Sequence, residues 1–165
     1  MLTTCSPWPT ESLHRKGEAP RGRSISDGAI SSAYYSVFHE VLAAAADEFV
    51  GRTRQNEPAY TLAYRRVDHT ALRDLCTDVQ KTTLPSRYKR YEPDGGFHPE
   101  LSQFAVFVIE LQQRRHAADY DPMIRLKRSD AEAAISAARS ALIRFRGAPP
   151  QSRRVFLALL LFPPR

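Results

Sequence analysis

Ala33-Tyr34-Tyr35-Ser36-Val37-Phe38-His39 lies within a long helical pattern from about Ser26 to Val50. At about 100° per residue, Ile30, Tyr34, Val37, Phe38, Val41, Ala45 and Phe49 fall on one broad face, and Leu42 extends its edge. That face marks a core helix. Tyr35 and His39, four residues apart, share a second line that continues through Leu42 and Ala46. Polar rings therefore stand beside small and apolar side chains instead of among charges, and the helix must meet neighbours on two sides.

The rest of the chain supplies them. Ser24 or Ser26 can cap this first helix, and Gly51 can end it. Pro58 suits the first turn of a second helix reaching about Lys81, with Tyr60, Tyr64, Val67, Ala71, Leu75 and Val79 as its apolar stripe. Arg65 and His69 lie one turn apart beside that stripe, with Cys76 further along. Residues 82–98 read as a loop in which Arg87, Lys89 and Arg90 interleave with Tyr88 and Tyr91. Such a loop can contact phosphates and stack on bases, or can simply connect helices while its tyrosines cover the core edge.

A third helix opens at Pro99 and runs to about Tyr120, stopped by Pro122. Its stripe of Leu101, Ala105 and Val108, flanked by Phe104 and Leu111, continues through Gln112, Arg115, His116 and Asp119. The core line thus turns polar. Buried charges need partners, and the four-residue spacings Arg115/Asp119 and His116/Tyr120 make local pairing available. Such residues either clamp helices together or stand ready for chemistry. Ser129 and Glu132 form a capping-box pattern for a fourth helix, with Ala131, Ala134, Ile135, Ala138, Ala141, Leu142 and Phe145 inward and Gly147 near its end. A last helix, about Ser152 to Phe162, is apolar nearly all round, so it is buried or covered by another subunit. The expected fold is all-α: an up-and-down bundle of four main helices plus a short C-terminal fifth.

Composition sets the limits of function. With 165 residues the chain suits one domain, residues 25–165, behind a flexible tail of residues 1–24 in which Trp8 and Leu13 can act as anchors. A net charge of +6 suits an anionic partner such as RNA or nucleotide phosphate, and equally an ordinary basic surface. Cys5 and Cys76 form no disulfide framework, which points to a reducing cytoplasm. No early apolar run resembles a signal peptide, and Val155 to Phe162 is too short to span a bilayer, so no membrane association is expected. Gly95-Gly96 follows loop residues and lacks a following Lys-Ser/Thr, so it makes no phosphate loop. No zinc-knuckle spacing or helical histidine pair points to a metal, and no cofactor motif occurs. A metal set of His39, His69, His116 and Asp119 would rest on residue types alone.

His39, His69 and His116 lie in different helices, so folding can bring two of them together with Arg65 or Arg115. One imidazole can take a proton from a ribose 2′-hydroxyl while an arginine steadies the charge on the phosphorus-centred transition state, without a metal.

The Ala-Tyr-Tyr-Ser-Val-Phe-His run, together with Arg-Arg-His-Ala-Ala-Asp-Tyr-Asp-Pro ending a later helix, resembles the HEPN domain superfamily, particularly its small bacterial stand-alone members. The resemblance spans about Ser24 to Phe162. It implies a helical bundle, often a homodimer with a cleft between facing helices, and RNA cleavage in toxin-antitoxin or phage-defence systems. It also implies an antitoxin or nucleotidyltransferase as partner. Arg115, Asp119 and Tyr120 match the later motif, where they would line the cleft or hold the structure; Tyr35 and His116 are further cleft candidates. The ribonuclease members place four to six residues between an arginine and a following histidine, and no histidine here has an arginine at that upstream spacing. Arg65 and His69 come nearest. The alternative is a noncatalytic interaction module in which an Arg/Asp/His/Tyr network is buried.

Overall fold

The computed structural model describes residues 24–121 and 123–164, and every regular element in them is helical. The expected tail with Cys5, Trp8 and Leu13, and the Pro122 stop, fall outside the described residues. Ser24 caps α1 (Ile25–Ala46): its hydroxyl accepts from the Asp27 amide at 3.2 Å, and the Asp27 carboxylate accepts from the Ser24 amide at 2.8 Å. Ile30, Tyr34, Val37, Phe38, Val41 and Ala45 are buried as the periodicity predicts, and Ser31, Ala33, Leu42 and Ala46 are buried beside them. Neighbours therefore cover α1 on more than one side. Past Ala46 the helix widens into a π turn, Asp47–Gly51, and then tightens into a 3-10 turn, Arg52–Arg54, with Gly51 at φ +113°. The changed rotation per residue carries Phe49 off the expected core line. It is exposed and meets Phe162 edge-on at 5.6 Å.

The single second helix expected from Pro58 to Lys81 is two helices, α2 (Pro58–Tyr64) and α3 (His69–Val79). Asp68 causes the break: it adopts an extended conformation and its carboxylate accepts from the Ala71 amide at 2.7 Å, an N-cap in the middle of the expected helix. The core of α3 is Leu72, Leu75, Cys76 and Val79. A short helix, α4 (Ser86–Lys89), interrupts the stretch read as loop and buries Tyr88. Asp78, nearly buried, binds both Lys81 (2.6 Å) and Arg87 (3.0 Å) and so ties α4 to the end of α3.

Helix α5 runs Pro99–Tyr120, and the His98 ring caps it by accepting from the Glu100 amide at 3.3 Å. Helix α6 runs Arg128–Gly147 and starts one residue before Ser129. Its cap is the Asp130 carboxylate accepting from the Lys127 amide at 2.7 Å, while Glu132 pairs with Arg128 at 2.8 Å instead of closing a Ser129 box. Ile135 is exposed, about 90° around α6 from the centre of the alanine line. Helix α7 (Pro150–Leu161) is covered by this chain's own residues, with Phe156 meeting Phe104 edge-on at 5.9 Å.

The three long helices α1, α5 and α6 pack against one another. Helix α3 lies on α5, α7 touches α1 and α3, and α2 rests on α1 and its π turn. The alanines of α6 permit close approach, and Phe104, Phe145 and Phe156 fill the core beside them. Among the described residues, no helix is long and apolar enough to cross a membrane.

Candidate functional site

Helix α1 presents Tyr34, Tyr35, Phe38 and His39 where α2, α3 and α5 converge. The Tyr34 hydroxyl shares a hydrogen bond of 2.9 Å with His69 Nδ1, and the Tyr64 hydroxyl shares one of 2.8 Å with His39 Nδ1. The two couples are reciprocal: α1 gives a tyrosine to one and a histidine to the other. Whichever tautomer holds the proton, Nδ1 is engaged and Nε2 of each ring is the nitrogen left for a further partner. Both imidazoles also touch the same two rings. Tyr35 stacks on His39 at 6.0 Å and meets His69 edge-on at 5.6 Å, while Phe38 lies 5.8 Å from His39 and 4.1 Å from His69.

Helix α5 supplies the charge. The Arg115 guanidinium lies over Tyr35 at 5.0 Å and Tyr34 at 5.5 Å, a cation–π arrangement. Its Nε donates to Asp119 Oδ2 at 3.1 Å, one helical turn on, and the Ser31 hydroxyl of α1 donates to Asp119 Oδ1 at 2.8 Å. Only 14% of the Arg115 side chain and 5% of the Asp119 side chain are exposed. One turn earlier, Gln112 Nε2 donates to the His69 carbonyl at 3.0 Å.

The electrostatics separate the groups. Burial, and then the Arg115 charge, hold His69 below the ordinary histidine value; His39 adds to that effect and Asp68 opposes it. His69 is thereby biased to the neutral form, which can accept a proton. Burial pushes the Tyr34 phenol upward despite Arg115, so this hydroxyl remains protonated and orients the ring it touches. Cys76 is fully buried and its thiol is likewise pushed up, which removes it as a nucleophile.

The structure therefore gathers His39, His69, Arg115, Asp119 and Tyr35, and leaves other expected residues outside the cluster. Arg65 ends α2, is exposed, and makes no side-chain hydrogen bond or ion pair with another described residue. His116 and Tyr120 have ring centroids 5.0 Å apart and stand beside a shallow recess of about 440 Å³ shared with Gln113, Ala117 and Asp121. Arg87 is held by Asp78 and lies over Tyr88 at 4.6 Å. Lys89 and Arg90 are exposed, and Arg90 borders a separate groove of about 600 Å³ between the 90–99 segment and the start of α7. That groove flanks Pro99, and a helix rises 1.5 Å per residue, so it lies roughly 24 Å along α5 from Arg115. Among the described residues, no group of three His, Cys, Asp or Glu is placed to hold a metal ion, so His39, His69, His116 and Asp119 form no ligand set.

Tyr34, Tyr64, Ser31 and Gln112 complete the cluster without having stood out as site residues. The first two belong to apolar stripes, and the only hint was general: a buried tyrosine hydroxyl requires a partner. No protein-family model, curated protein or solved structure matches this chain.

Proposed function

We propose that this chain is a HEPN-like protein of a toxin-antitoxin or phage-defence system, acting on RNA or a nucleotide without a metal. In this reading α2 and α3 count as one broken helix, so α1, α2/α3, α5 and α6 are the four main members of an up-and-down bundle and α7 is the short fifth. The observation that carries the function is the meeting of His39, His69 and Arg115 around Tyr35, with both imidazoles anchored through Nδ1.

His69, biased neutral, takes the proton of a ribose 2′-hydroxyl as the 2′-oxygen bonds to phosphorus. His39 gives a proton to the departing 5′-oxygen as its bond to phosphorus breaks, leaving a 2′,3′-cyclic phosphate. Arg115 steadies the negative charge that builds on the phosphoryl oxygens. Arg65, one connection away from His69, contacts a neighbouring phosphate, and Lys89 and Arg90 bind the backbone farther off. Tyr35 supports a base, while His116 and Tyr120 line the approach. The protein works in the cytoplasm as a homodimer, held in check by an antitoxin or a nucleotidyltransferase.

The test incubates the pure chain with total RNA and transfer RNA in EDTA, beside His69→Ala. Cleavage to cyclic-phosphate ends, reduced about 10²- to 10⁴-fold in the variant, is the expected result. Equal cleavage by both proteins removes His69 from the mechanism, and intact RNA with both overturns the nuclease reading.

A second reading is favoured by one observation, the near-complete burial of Asp119 between Arg115 and Ser31. In that reading the network is a helix clamp and the chain is a noncatalytic interaction module. RNA is then untouched, and loss of Arg115 affects only folding.

A further inference from the structure

Gln112 is half-buried, and among the described residues its Oε1 is the one buried side-chain polar atom left without a hydrogen bond. Its Nε2 donates to the His69 carbonyl at 3.0 Å, yet its Oε1 is buried with no hydrogen-bond partner among the described residues. Turning the amide over would not help. It would place Oε1 against the His69 carbonyl, two acceptors facing each other, and leave a buried amine unpaired. The donor contact therefore fixes the amide, and the orphaned oxygen follows from it. A buried acceptor without a partner is destabilising, because its lost hydration is not replaced, while an apolar side chain of the same shape carries no such penalty. Gln112 is not explained by packing.

Its position offers another explanation. His69 is the first residue of α3, where the Asp68 cap starts the helix, so its backbone is held locally by the first turn alone. Gln112 binds that residue from α5, and Arg115 stands three residues further along the same helix, on a neighbouring line. One helix thus supplies both the cation over Tyr34 and Tyr35 and the anchor of the imidazole joined to Tyr34. We propose that Gln112 is a positioning residue: it sets the distance and angle of His69 relative to Arg115 by gripping the His69 carbonyl. This rests on the reading of His69 as the working base.

The groups that face the His69 ring are Tyr34, Tyr35, Phe38 and His39 from α1, Arg115 from α5 and Asp68 at its own cap. Burial and Arg115 favour neutral His69, so loosening the ring from this corner raises its titration midpoint. The experiment follows the imidazole signals of His69 and His39 by NMR across pH in the full chain, for wild type, Gln112→Met and Gln112→Asn. Met keeps the volume and removes the donor; Asn keeps the amide and shortens its reach. Both variants are expected to move the His69 midpoint up by about half a unit or more, with His39 changed less. Gln113→Met, an exposed neighbour, leaves both midpoints in place. An unchanged His69 midpoint in the folded variants overturns the proposal, and Asn decides the matter if Met does not fold. The titration reads His69 itself, so its failure is separate from that of the nuclease reading, which falls when wild-type protein leaves RNA intact.

Discussion

Arg115 shows how one side chain can serve packing and chemistry at once. Its guanidinium lies on two tyrosine rings and its Nε holds a carboxylate that is almost out of water. Removing it takes away the cation that donates to Asp119 Oδ2, while the Ser31 hydroxyl still donates to Oδ1. Breaking a buried pair from one side costs more than deleting both charges, because the survivor stays desolvated. Arg115→Ala should therefore lose about 2–4 kcal/mol of stability, discounted for the small exposed fraction of the arginine, and Arg115→Met with Asp119→Asn should recover part of it. Urea unfolding of the three proteins measures this; a double variant no more stable than the single one would dissociate the loss from the Arg115–Asp119 pair.

At the scale of elements, caps decide where helices begin. Asp68 separates α2 from α3, and Asp68→Ala should cost about 1 kcal/mol as the Ala71 amide loses its acceptor. Hydrogen exchange checks it: faster exchange confined to the first turn of α3 is expected, and uniform exchange throughout the molecule would show that the cap does not act locally. The same residue explains what the sequence left unread. Helix α5 and the start of α1 were legible almost to the residue, because an apolar face of constant direction ran from clear boundaries, Pro99 for one and Ser24 for the other, whereas the π turn past Ala46 left no mark on the periodicity. The stripe of Tyr60, Tyr64, Val67, Ala71, Leu75 and Val79 kept its direction straight through the break, so periodicity could not report it. The site divided in the same way. Arg115 and Asp119 stood out as charges one turn apart on an apolar line, whereas the Tyr34–His69 and Tyr64–His39 couples depend on how separate elements are set against each other, which no single periodicity records.

For the whole molecule, the depressed titration of His69 links folding to pH. In the unfolded chain this histidine titrates near 6.5, and in the folded protein it titrates lower. Between those two values the unfolded state binds more protons, so this group's contribution to stability is complete above about pH 6.5 and is lost as pH falls toward the folded value. The unfolding free energy should rise with pH through this window, and His69→Gln should flatten the rise; parallel curves for the two proteins would place the pH dependence elsewhere. The break between α2 and α3 bears on how this chain tolerates change. Tyr34 and His39 are five residues apart, as are Tyr64 and His69, and Arg65, Arg66, Val67 and Asp68 are the only residues that hold the second spacing. These four form a measured spacer. Adding or deleting one residue there would leave the three long helices packed as before and would uncouple one tyrosine–histidine partnership from the other, so this connection of four residues is not free to vary in length.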